Sequence, residues 1–322
     1  MILALRALGV GDLAVAVPAL RGLRAGLPGR ELVLAAPQWL APLAALVGGI
    51  DRVLPTAGLA DRPAWPGPPP EVAVNLHGQG PQSHRMLAAA RPGRLLAFAN
   101  PAAGWTDGPR WDDDEHEVRR WCRLLHWYGL PADPTDLALR RPPRAGVPAG
   151  ATVLHPGSKV PAKRWPAERF AALARALTDR GHRVVLTGSA DERGLAAGIA
   201  RAAGLPPESV RAGRTDLVEL AALVADARVV VSGDTGVAHL ATGYGTASVV
   251  LFGPVSPARW GPPPDRPWHR VLDASGRSEV DGWAGDGGVG DRPTVVAVPV
   301  DEVLAAVGEV ERSGRGSDAV TA

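Results

Sequence analysis

Asp12 lies in GVGDLA, residues 9–14, directly after the apolar run MILAL. A strand, a glycine pair and a helical pattern in that order usually build a phosphate cradle. A carboxylate at the mouth of a cradle repels phosphate, so this loop points to another task. Two roles are open to Asp12. It can cap the helix, where Asp stabilises by about 1 kcal/mol. It can also act as a general base, held ionised by the helix dipole and ready to take a proton.

Phosphate chemistry has better candidates further on. Of the 35 Lys and Arg residues only two are lysines, Lys159 and Lys163, and both fall in HPGSKVPAKRWP, residues 155–166. Ammonium groups bind phosphate as compact point charges, and Ser158 adds a hydroxyl. The loop lacks the Walker A spacing, and an ordinary solvated loop is the competing reading. In VVVSGDTGVAHL, residues 229–240, a strand runs into Asp234, Thr235 and Gly236 and then a helix. The N–H groups from Thr235 onward can cup a diphosphate, with His239 one turn along. A capped helix with a surface histidine is the alternative. In TGSADE, residues 187–192, Asp191 or Glu192 stands where a ribose-binding carboxylate belongs, or serves as a first-turn acid.

GVGDLA also fits the dinucleotide fingerprint, which keeps a nicotinamide oxidoreductase in view. That fingerprint needs an acid at the end of the second strand, and here the chain reads Ala35, Ala36, Pro37. WDDDEHE, residues 111–117, holds an Asp-x-Asp and a histidine; metal ligation and a solvated helix start both fit it.

These residues need elements to hold them. Strand-like runs at 1–5, 31–35, 52–54, 71–75 and 94–98 alternate with helical patterns, including Leu13–Ala25 and Trp39–Val47. The pattern predicts a parallel sheet covered on both faces. Residues 61–70, DRPAWPGPPP, read as a proline-rich loop, and 116–130 as an amphipathic helix. RRPPRAGVPAG, residues 140–150, reads as the linker. The cycle restarts with strands at 152–155, 183–187, 210–212, 228–232 and 247–252. Helices follow at 167–180, 191–203, 216–225 and 236–243. Residues 261–293 are given no regular structure, 300–312 a last helix, and 313–322 a disordered tail. The expectation is an acceptor domain over 1–145 and a nucleotide-binding domain over 151–312, facing each other across a cleft.

Composition narrows the class. The net charge is +2, and no basic block interleaves with aromatics, so nucleic acid is not a favoured partner. The single cysteine, Cys122, suits a reducing cytoplasm. The ten tryptophans outnumber Phe and Tyr together; they divide between core and sugar stacking in a way spacing does not sort.

GVGDLAVAVPALRGL, NLHGQGPQSHRML, HEVRRWCRLLHWYGLP, HPGSKVPAKRWPAERF and SGDTGVAHLATGYGTASVVLFGPVSP occur in one order over most of residues 1–260. Together they resemble glycosyltransferase family 9, the ADP-heptose:lipopolysaccharide heptosyltransferases. The resemblance implies a GT-B fold, two Rossmann-like domains, and inverting transfer of a sugar from an ADP-linked donor to a glycan or glycolipid hydroxyl. It implies no cofactor and no Asp-x-Asp metal site. It also implies a cytoplasmic enzyme that meets its acceptor at the inner membrane face.

Residue by residue, the resemblance makes Asp12 the catalytic base. It puts Ser158, Lys159, Lys163, Glu192, Asp234, Thr235, Gly236 and His239 on the donor. It puts Gly11, Gln82, Ser83 and Arg85 on the acceptor. Gln82-Ser83 stands where many members carry Lys-Ser. A non-catalytic relative that only binds a sugar nucleotide is the remaining alternative.

Overall fold

The computed structural model describes residues 1–59, 67–143, 146–275 and 294–314. The chain divides into two compact units, residues 1–140 and 141–322.

Unit 1 runs β1 (Ile2–Leu5), α1 (Val10–Val15), α2 (Val17–Gly26), β2 (Leu32–Ala36), α3 (Ala41–Val47), β3 (Arg52–Pro55), β4 (Val72–Asn75), α4 (Gln82–Ala89), β5 (Arg94–Leu96) and α5 (Glu117–Trp127). Its five strands are all parallel, in the order β3-β2-β1-β4-β5. ILAL, LVLAA and VAVN are buried at every position. Continuous apolar runs of this kind mark strands covered on both faces. The order reverses between β1 and β4, and ligands bind outside the carboxyl ends of strands at such a reversal. The loop after β1 carries Asp12 there.

The single helix expected over 13–25 is two helices, α1 and α2. Pro18 stands in the first turn of α2. With no N–H to give and a ring that crowds the preceding turn, it suits a helix start and not an interior.

Unit 2 runs β6 (Thr152–His155), α6 (Ala167–Asp179), β7 (Val184–Leu186), α7 (Arg193–Ala203), α8 (Leu217–Ala225), β8 (Val229–Gly233), α9 (Gly236–Tyr244), β9 (Ser248–Phe252), α10 (Pro257–Trp260), β10 (His269–Asp273) and α11 (Val300–Ser313). The sheet is again all parallel, ordered β10-β9-β8-β6-β7. It reverses between β6 and β8, which brings the loops after those two strands together. Leu154, Phe170, Val231 and Leu251 belong to the core that holds the sheet to its helices. The Trp165 indole N–H donates to the Val298 carbonyl at 2.9 Å, tying the loop after β6 to the segment before α11.

Two expectations for unit 2 need correction. Residues 210–212 form no strand. A 3₁₀ turn over Pro207–Ser209 precedes them, and Val210 makes only an isolated bridge to Leu186. Residues 261–293 contain β10, whose charged sequence HRVLD disguises a strand that, among the described residues, pairs only with β9. Residues 276–293 and the tail from 315 lie outside the described residues, as do 60–66 of the proline-rich loop. No helix among the described residues is long and apolar enough to cross a membrane.

Candidate active site

Unit 2 builds its site at the β6/β8 reversal. β8 ends at Gly233, Asp234 turns the chain, and Thr235 takes the N-cap of α9 in extended conformation (φ −141°, ψ 171°). An N-cap threonine normally accepts a helix N–H. Here Thr235 makes no side-chain cap bond, and its Oγ1 is buried without a partner among the described residues. Beside it the first N–H groups of α9 point off the helix end, a ready site for an anion.

The loop after β6 closes over this end. Lys163 Nζ donates to Asp234 Oδ2 at 2.6 Å, and His239 Nε2 lies 3.7 Å from Asp234 Oδ1. A Cβ on Gly233 would come within 2.9 Å of the Lys163 carbonyl oxygen, so the strand end must be glycine for the Lys163 turn to settle there. Burial raises the Asp234 carboxyl, but the contacts of His239 and Lys163 outweigh it and hold the group below the usual carboxylate range. Asp234 therefore anchors Lys163 and His239 and offers little of itself to a ligand.

Ser158 is nearly buried; its Oγ accepts the Val160 N–H at 3.2 Å, and its carbonyl accepts from Arg164 at 2.8 Å. Lys159 is exposed on the same loop. Glu192 precedes α7, and its Oε2 accepts the Ser189 N–H at 2.8 Å. A Cβ on Gly157 would overlap the Glu192 carboxyl, so the two loops touch through a glycine. His155 bonds Thr187 Oγ1 through Nδ1 at 3.0 Å, and desolvation keeps its imidazole below the ordinary histidine value.

In unit 1, Gly9 is the N-cap of α1 and Asp12 is the third residue of the helix. The capping role foreseen for Asp12 is thus changed: its Oδ2 reaches back and accepts the Gly9 N–H at 3.0 Å. The carboxylate remains 29% exposed. Behind it lies Arg6, 1% exposed, which sequence reasoning passed over. Its Nε donates to the Asp12 carbonyl at 2.7 Å, its Nη1 to the Leu76 carbonyl, and its Nη2 stands 3.5 Å from Asp12 Oδ1 and 3.7 Å from Glu117 Oε2. The guanidinium also stacks 4.6 Å over Trp121. Burial lowers the Arg6 pKa, opposed by Asp12 and Glu117. The signal was present in the sequence: an arginine ending a run of buried apolar strand residues must meet a counter-charge.

The acceptor-side candidates separate. Gly11 is partly exposed in the first turn of α1, and Gln82 and Arg85 are exposed on α4. Ser83 is 1% exposed, and its hydroxyl accepts from Asn75 Nδ2 at 2.9 Å, which braces the loop after β4. That loop adjoins Asp12: Leu76 N–H donates to Leu5 O at 3.1 Å, and Ala7 N–H to His77 Nδ1 at 3.2 Å.

Apart from the contact of Glu117 with Arg6, the named contacts of WDDDEHE are local. Trp111 donates to Asp113 at 2.9 Å, His116 caps α5, and Glu117 pairs with Arg120 and Trp121. At the end of β2, Ala35 and Ala36 leave no carboxylate for a dinucleotide ribose.

A model of glycosyltransferase family 9 (heptosyltransferase) matches residues 98–277. A lipopolysaccharide heptosyltransferase 3 of Escherichia coli is 31% identical over 175 residues, covering 51% of this chain and 47% of its own length. The chain thus spans about half of that relative. A glycosyl transferase family 9 structure from Veillonella parvula superposes with a TM-score of 0.78 at 19% identity, covering 97% of both chains. The E. coli ADP-heptose lipopolysaccharide heptosyltransferase II gives 0.72 at 22% identity, covering 97% of this chain and 98% of its own. These likenesses show the fold, GT-B.

Proposed function

The chain belongs to glycosyltransferase family 9, and from that premise we propose that it is an inverting transferase moving a heptose from an ADP-linked donor to a hydroxyl of lipopolysaccharide or a related glycan. The carrying observation is the unpartnered Thr235 hydroxyl at the N terminus of α9, with Lys163 on the neighbouring loop. A buried hydroxyl without a partner costs about 1–3 kcal/mol, and an anion at the helix end would satisfy it. ADP as leaving group puts its growing negative charge there, where fixed donors are most effective.

In this reading Asp12 takes the proton of the acceptor hydroxyl as its oxygen bonds the anomeric carbon. The bond from that carbon to the ADP oxygen breaks on the opposite face, and configuration inverts. Lys163, Thr235, Gly236, Ser158 and Lys159 hold the diphosphate. Glu192 takes the ribose and His239 steadies Asp234 and the phosphates. Gly11, Gln82 and Arg85 receive the acceptor. Arg6 holds Asp12 from behind, so the base keeps one orientation. The names of the relatives support lipopolysaccharide as the acceptor class and ADP-heptose as donor. A glycolipid acceptor puts the reaction at the inner membrane face, with the enzyme in the cytoplasm.

Thermal shift and calorimetry of the whole chain against ADP, ADP-heptose and NAD test the reading. ADP and ADP-heptose should stabilise the protein by mass action. Tight NAD binding with no response to either ADP ligand would overturn it.

A further inference from the structure

Unit 1 holds a cavity of about 440 Å³ along α4 and the edge strand β5, lined among others by Arg85, Arg91, Arg94, Trp105, Asp107 and Tyr128. That volume is within the range of small-molecule sites. β5 is the last strand of the sheet, and Arg94 pairs in register with Val72 at the amino end of β4. β1 runs parallel to β4, and Asp12 follows its carboxyl end. Arg91 and Arg94 therefore sit toward the amino ends of the strands, and the candidate base at the carboxyl ends. The cavity approaches the acceptor side only through Arg85, at the start of α4.

Its charge is unbalanced. No carboxylate pairs with Arg91 or Arg94 among the described residues, and Arg85 donates only to the Ala102 carbonyl, at 2.8 Å. Three guanidiniums face one carboxylate, Asp107, so the lining carries an excess of two positive charges. His84, also in the lining, is held toward its neutral form by burial. Arg91 adopts a left-handed backbone, φ 51°, which a non-glycine residue seldom takes. Trp105 and Tyr128 supply an aromatic wall.

We infer that this cavity is a second ligand site, for a phosphomonoester. A phosphomonoester carries about −1.5 to −2 charge at pH 7, which matches the excess. Guanidiniums grip its oxygens in pairs, and the aromatic wall takes the organic group. The inference does not rest on the transferase reading: Arg85 is shared with the proposed acceptor set, but Arg91 and Arg94, on which the test turns, belong to neither the donor nor the acceptor set.

The test uses two phosphomonoesters from different sources, glucose 6-phosphate in solution and phosphatidate in phosphatidylcholine vesicles. Calorimetry and vesicle sedimentation follow the wild type, Arg91→Gly, and Arg91→Gly/Arg94→Gln. Glycine suits the left-handed position, so the first variant keeps the fold while removing a charge. The wild type should bind at least one probe, more weakly as salt rises, and the double variant at least about tenfold more weakly. Glucose 6-phosphate alone identifies a soluble ligand, and phosphatidate alone a lipid headgroup. Binding to neither probe, equal binding of glucose or of plain phosphatidylcholine vesicles, or unchanged binding by the double variant would overturn the site.

Discussion

Lys163 Nζ and Asp234 Oδ2 stand 2.6 Å apart, joining the loop after β6 to the loop after β8 where the unit 2 sheet reverses. Asp234 is 7% exposed and Lys163 20%, so the pair is shielded yet open on the lysine side. The carboxylate positions the ammonium, and the ammonium remains within reach of a ligand at the α9 terminus.

Lys163→Ala removes that ammonium. A charge-assisted phosphate contact contributes about 1.5–3 kcal/mol, so the ADP dissociation constant should rise about 10- to 150-fold. Calorimetry with ADP reads this directly. An unchanged constant, with a large fall in melting temperature, would make the loop structural.

Gly157→Ala tests the nucleoside side. The new methyl overlaps the Glu192 carboxyl and pushes it off its place. Because Glu192 is partly exposed, stability should change by no more than about 1 kcal/mol. ADP affinity should fall about tenfold or more. Equal affinity in the variant would remove Glu192 from the ribose.

His269 gives a pH dependence. Burial first, and then Arg266, hold its imidazole down to about 3. The unfolded chain protonates it near pH 6.5. The folded pKa is depressed, so the contribution to stability is complete above about pH 6.5 and lost as pH falls toward about 3. Within that window the slope approaches about 1.4 kcal/mol per pH unit. Urea denaturation of wild type and His269→Gln between pH 7 and 4 isolates it. The variant should lose stability less steeply; equal slopes would clear His269 of the effect.

Legibility followed burial. Strands such as VAVN and SVVLF read directly, because a parallel strand covered on both faces has no polar alternation to blur it. HRVLD did not, because an edge strand tolerates charge. The helix read over 216–225 is α8, with Asp216 as its N-cap in a capping box with Glu219, whereas the break at Ala16 needed the geometry of Pro18. Among the candidate residues, Asp12 and Thr235 stand out because glycines and strand ends flank them, and Lys163 because it is one of only two lysines. Arg6 carries a signal, a charge closing an apolar strand, but its partner Glu117 carries none: the two lie 111 positions apart in sequence and meet only in the folded chain. The bond of Ser83 to Asn75 was not legible either, because hydroxyls serve braces and ligands alike.

The most direct measurement is heptose transfer from ADP-heptose to a lipopolysaccharide-core acceptor, comparing wild type with Asp12→Asn by mass spectrometry and ADP release. Asparagine can still accept the Gly9 N–H, so the substitution removes the charge and spares the cap. Wild type should form the heptosylated product with one ADP per transfer. The Asp12→Asn rate should be about 100-fold or more lower, with donor affinity nearly unchanged. Absence of transfer by the wild type from ADP-heptose, or a wild-type rate in Asp12→Asn, would contradict the transferase reading.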